Sequence, residues 1–137
     1  DCSVTMSGFF SADQLTAEQA RISRHTLELV REGTLLIPEL WGLEVANVIA
    51  RGRRKGLQVE PTKEAEFLAL LAALPKEVES HGPERAFGPV LELARKHGLT
   101  SYDATYLELA RRRAVPLSSL DDALREACLK ERVALVG

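Results

Sequence analysis

No apolar run in the 137 residues approaches the length of a membrane span, and no secretory signal pattern is present. Cysteine is scarce. Cys2 and Cys128 lack the spacing of a metal site and read as reduced, buried thiols of a cytoplasmic protein, with a disulfide as the lesser alternative. Charge is nearly balanced at a net −2, so no general attraction to nucleic acid is expected, and any such binding needs a local basic patch. Internal repeats and low-complexity segments are absent. What is present, 45% apolar and 28% charged residues, is the composition of one soluble globular domain over 1–137.

The apolar pattern alternates between short runs and helical faces. A helical turn over 5–10 carries Met6, Phe9 and Phe10 inward. Thr16 and Gln19 form a capping-box pattern that opens a helix over 16–32, with Ala20, Ile22, Leu27 and Val30 as its apolar face and Gly33 as its stop. Residues 34–37 read as a short buried strand, 62–74 as an amphipathic helix stopped by Pro75, and 76–80 as a weak strand. The stretch 83–97 is helical in pattern, with Gly88-Pro89 interrupting its first half and Gly98 ending it. A helix over 100–113, a strand over 115–118, a helix capped by 119–122 and a strand over 133–136 complete the chain. Strands alternate with helices, and their connections are too long for hairpins. This predicts an α/β fold with a parallel sheet covered on both faces.

The segment 38–50 poses the functional question. Pro38 suits the first turn of a helix, and the basic run Arg51 to Lys55 with Gly56 suits its end. From Leu40 to Ala50 this helix is apolar almost all round, which predicts burial. Yet it carries Glu44 and, three residues on and on the same face, Asn47. A buried carboxylate is costly unless it is paired or bound to a metal. Asp1, Asp103 and Asp121 stand at strand ends or helix starts, where ligands of parallel sheets collect. Asp103 in Thr-x-x-Asp also fits a capping role, and Asp121 or Asp122 also fits a helix cap. Carboxylates gathered together repel one another, and a hard divalent cation removes that repulsion.

Four pieces in order carry a resemblance. They are Asp1-x-Ser3, then Pro38-x-Leu40-Trp41-x-Leu43-Glu44-Val45-Ala46-Asn47, then Tyr102-Asp103-Ala104-x-Tyr106-Leu107, then Leu117-Ser118-Ser119-Leu120-Asp121. Together, and over essentially the whole chain, they resemble the PIN domain, in particular ribonuclease toxins of the VapC kind. The resemblance implies a three-layer α/β/α sandwich with a short, mostly parallel sheet. It implies a Mg²⁺- or Mn²⁺-dependent endoribonuclease, with one or two ions held by Asp1, Glu44, Asp103 and Asp121. Ser119 matches an orienting hydroxyl, and Ser3, Asn47 and Asp122 stand behind or beside the ligands. The family pattern has a short apolar strand before its first aspartate, and such a segment is expected before Asp1. A small antitoxin and a second copy of the chain are the implied partners, with the helices over 16–32 and 62–74 as candidate docking surfaces.

The chemistry so implied needs no histidine base. His25, His81 and His97 are expected at the surface, away from the motifs. Arg51, Arg53, Arg54 and Lys55 are candidate contacts to RNA phosphates or simply a solvated helix end, and the same alternative holds for Arg111 to Arg113. The competing reading is a PIN-like module that binds a partner and does not cut. A phosphatase of the phosphoaspartate type would want an acid where Ser3 stands.

Overall fold

The computed structural model describes residues 1–9, 15–54 and 59–137, with the side chains of Arg53 and Arg54 excepted. Phe10, Lys55 and Gly56 lie outside the described residues. Helix α1 spans Cys2–Ser7, α2 Ala17–Glu32, α3 Leu40–Arg54 and α4 Pro61–Ala73. After these come α5, Pro83–Arg85, then α6, Leu91–His97, α7, Ser101–Arg113, and α8, Asp122–Lys130. Strand β1, Leu35–Pro38, pairs in parallel with β2, Lys76–Glu79. The weak strand over 76–80 is thus real. The stretches 115–118 and 133–136 meet only through one parallel bridge, Leu117 to Leu135. The molecule is mostly helical, with a two-stranded parallel sheet, and is compatible with the α/β class.

Pro38 does not open the helix as expected. It ends β1, opposite Glu79, and is buried. Alternate residues of a parallel strand donate to one neighbour. Here Leu35 N donates to Pro75 O and Glu39 N to Glu79 O, so the position between them that lacks an N–H costs this ladder nothing. Gly88-Pro89 does break its helix. A π-helical segment, Ala86–Val90, separates α5 from α6, and Gly88 leaves helical geometry at φ −102°, ψ −105°. Pro89 has no N–H to bond, and its ring would crowd the Arg85 carbonyl in a regular helix. Gly98 ends α6 in the left-handed region at φ 66°, as its place in the sequence suggests. The capping box at Thr16 and Gln19 also forms, both bonds being made.

The core is organised around α7, not around α3. Every residue from Ala104 to Ala110 is buried, with Ala104 and Leu107 at 0% exposure. Burying a leucine side chain contributes about 1.5–3 kcal/mol. Helix α3, expected to be buried all round, is two-faced. Trp41 and Val45 are buried, whereas Leu43, Ala46, Asn47 and Ala50 form an exposed stripe at helical spacing, Leu43 at 76%. Composition alone did not separate the two helices, because what decides burial is how many neighbours a helix has. Helix α7 touches β1, α6, α8 and the π segment, while α3 packs mainly on α1. Trp41 Nε1 donates to Thr5 Oγ1 at 3.0 Å and ties α3 to α1. On α2, Ile22 is buried while Leu27 and Leu29 are 44% exposed, so the inward stripe runs through Ile22, Ser23, Thr26 and Val30, and Leu27 is not part of it.

Candidate active site

Three of the sequence-predicted acids are placed by helix starts. Asp1 is the N-cap of α1, Asp121 is the N-cap of α8, and Asp103 lies in the first turn of α7. The positive end of each helix favours a carboxylate there. Glu44 sits instead in the second turn of α3, half-buried. The capping roles are therefore physically present. Asp121 Oδ1 accepts from Leu124 N at 2.8 Å. Thr100 Oγ1 donates to Asp103 Oδ2 at 2.6 Å and accepts from Asp103 N at 3.1 Å.

Asp1, Ser3, Ser119 and Asp121 form one continuous hydrogen-bonded chain. Ser119, fully buried, donates to Asp1 Oδ2 at 3.0 Å and accepts from Asp121 N at 3.0 Å. Ser3 donates to Asp1 Oδ1 at 2.6 Å and accepts from Leu120 N at 2.9 Å. The backbone nitrogen of Asp1 donates to Ser118 O at 2.6 Å. Two hydroxyls thus orient one carboxylate and pin it to the turn that carries the other. Arg125, which the sequence reading passed over, lies against this turn with Nη1 donating to Ser119 O at 3.2 Å. Its position one turn after the Asp121 cap is the signal that could have found it.

Glu44 and Asp103 form the other half, joined through Tyr106. Tyr106 OH donates to Glu44 Oε2 at 2.5 Å. Burial pushes the Glu44 carboxyl above its ordinary range; the tyrosine bond opposes this and the Asp103 charge adds to it. Burial and the bond to Glu44 likewise raise the Tyr106 phenol, so it stays protonated and donates. The two halves adjoin at α1. The Cys2 thiol is pushed up to about 11, first by burial and then by the Glu44 charge.

The other predicted residues stand apart. Asn47 is exposed, and among the described residues no hydrogen bond ties it to an acid. Asp122 is exposed in the first turn of α8, and Arg51 is exposed on α3. Lys55 and the side chains of Arg53 and Arg54 lie outside the described residues. Arg111, Arg112 and Arg113 pair with acids: Arg111 with Glu131, Arg112 with Glu79 and Glu108, and Arg113 with Glu77 and Glu79. Two histidines expected at the surface are buried, His81 against Glu108 at 2.8 Å and His97 against Glu131 at 2.7 Å. Buried carboxylates on other elements draw them in, a pairing that spacing in the chain does not show.

Four carboxylates backed by hydroxyls suit a hard divalent cation. As placed, no three His, Cys, Asp or Glu side chains among the described residues stand close enough to share an ion. The cap at Asp121 offers a direct measurement. Asp121→Asn keeps a side-chain oxygen for Leu124 N and should keep the stability, whereas Asp121→Ala should lose about 1 kcal/mol. Thermal melts of the two variants in chelator check this, and equal melts would deny the cap.

Among the described residues no helix is long and apolar enough to cross a membrane. No family model matches the chain. Over 88 residues it is 34% identical to Ribonuclease VapC3 of Pyrobaculum aerophilum, a stretch covering 64% of this chain and 66% of that protein. The chain thus spans just under two thirds of the length of the curated relative it matches. It is similar, over that stretch, to a protein named as a ribonuclease.

Proposed function

We propose that the chain is a metal-dependent endoribonuclease that hydrolyses RNA phosphodiester bonds, and the toxin of a toxin–antitoxin pair. The observation that carries this is the placement of Glu44 beside Asp103, held by Tyr106, next to the α1 turn that bears Asp1. The similarity to a protein named Ribonuclease VapC3 supports it independently. In this reading Asp1, Glu44, Asp103 and Asp121 hold one or two Mg²⁺ or Mn²⁺ ions. Bound there, the metal supplies an activated water and offsets charge on the phosphate oxygens. Ser3 and Ser119 fix the Asp1 carboxylate, and Ser119 also steadies the Asp121 backbone. The fold in this reading is the three-layer, PIN-like sandwich, in a cytoplasmic protein.

The partner reading goes with it. Helices α2 and α4 leave leucines in water: Leu27 and Leu29 at 44%, Leu68 at 43% and Leu70 at 55%. These supply apolar surface for an antitoxin helix or a second copy. Purified chain incubated with RNA should cut it in Mg²⁺ or Mn²⁺ and stop in EDTA. Cleavage undiminished in EDTA would overturn the metal mechanism. RNA left intact in either metal would leave a PIN-like module that only binds.

A further inference from the structure

The sequence motif that contains Asp103 also contains Tyr106, to which no role has been given. The two are three residues apart on α7 and so lie on one face of it. That face is turned toward Glu44 on α3. Tyr106 OH reaches Glu44 Oε2 at 2.5 Å, and the Asp103 charge is felt at both groups. Only 6% of Tyr106 is exposed, and its ring belongs to the main hydrophobic cluster with Leu107, Trp41 and Val45. A ring locked in the core carries a hydroxyl whose position is fixed by packing. Glu44 is different: its side chain is longer, turns about more bonds and is half-buried at the edge of the same cluster.

We infer that Tyr106 is a positioning residue that holds the Glu44 carboxylate in place for the divalent cation. The inference rests on the metal-dependent reading above. Packing alone does not account for the hydroxyl. A phenylalanine would fill the same volume in the cluster, and the phenol oxygen has a single polar partner recorded here, the carboxylate itself. A donor behind a ligating carboxylate restrains its orientation before the metal arrives. Removing such a partner typically lowers metal affinity on the order of 10–100-fold.

The test uses Mn²⁺, whose free form is read by electron paramagnetic resonance, on the whole chain. Wild type, Tyr106→Phe, Glu44→Gln and the double variant are titrated, and melts in EDTA confirm that each is folded. Tyr106→Phe is expected to weaken Mn²⁺ binding on the order of 10–100-fold. In the Glu44→Gln background the same change is expected to have no further effect, since Tyr106 acts through Glu44. Tyr106→Phe binding Mn²⁺ as wild type does, while Glu44→Gln binds less, would overturn the inference and spare the metal site. An equal loss in both backgrounds would also overturn it, leaving Tyr106 as a packing residue. Wild type binding no better than Glu44→Gln would sink the metal reading and this inference together.

Discussion

Replacing Asp103 by Asn is expected to stop RNA cleavage while leaving the metal-free protein as stable as before, or more so. Two physical roles meet at this residue. As a first-turn acid it gains from the α7 dipole, which is worth about 0.3–1 kcal/mol. As a neighbour of Glu44 it repels, and its charge helps to hold the Glu44 carboxyl above the usual range. Asparagine keeps an oxygen for the Thr100 hydroxyl, which now donates to Asp103 Oδ2 at 2.6 Å. It removes the repulsion and the dipole interaction together, so the two stability effects offset. The loss falls on the metal, which needs an anionic oxygen. Cleavage should drop by at least ~100-fold, beyond the cost of a residue that only supports a ligand. Melts in EDTA paired with an RNA cleavage assay separate the roles. A destabilised Asp103→Asn variant that still cuts at the wild-type rate would leave Asp103 as a cap and nothing more.

The largest effect on stability is expected at Glu108. It is a carboxylate on α7, only 5% exposed. Arg112 Nε donates to Oε1 at 3.0 Å, Arg85 Nη1 to the same oxygen at 3.0 Å, and His81 Nε2 lies 2.8 Å from Oε2. Burial alone would raise its carboxyl, but the bonds and charges of Arg112 and His81 outweigh burial and hold it below the usual range. Glu108→Ala leaves those partners uncompensated, beside two buried nitrogens without a partner, His81 Nδ1 and Arg112 Nη2. Breaking a buried pair from one side costs about 3–5 kcal/mol. For a chain of this size that lowers the melting temperature by roughly 10–15 °C. A melt within a few degrees of wild type would show that the network contributes no such stability. The sign with pH follows from the depressed value. The folded carboxyl sits below its unfolded counterpart, so its stabilisation is complete above the unfolded value of about 4.3 and is lost as pH falls through the folded one. Melts from about pH 6 down to about pH 3 should fall more steeply for wild type than for Glu108→Gln.

Local chemistry was legible in the chain. The Thr16 box, the Gly98 stop, the Pro89 break and the caps at Thr100 and Asp121 need only neighbours a few residues away. The parallel pairing of β1 and β2 was also foreseen, since a connection of that length leaves a hairpin out. The four acids could be named for the same reason: each belongs to a short motif with its own local signature.

Tertiary structure decided what those residues touch. Whether a helix is central depends on the elements packed round it, and so α7 proved to be the buried one while α3 kept a face in water. His81 and His97 went inward because Glu108 and Glu131, 27 and 34 residues away, were buried with them. Tyr106 and Glu44 are 62 residues apart, and Ser119 and Asp1 are 118 apart. The sequence by itself determined which oxygens and hydroxyls were available, because helix caps and motifs are short-range. Only the packing of α1, α3 and α7 decided which of them meet, because a hydrogen bond between distant residues exists nowhere in the chain until the core brings its ends together.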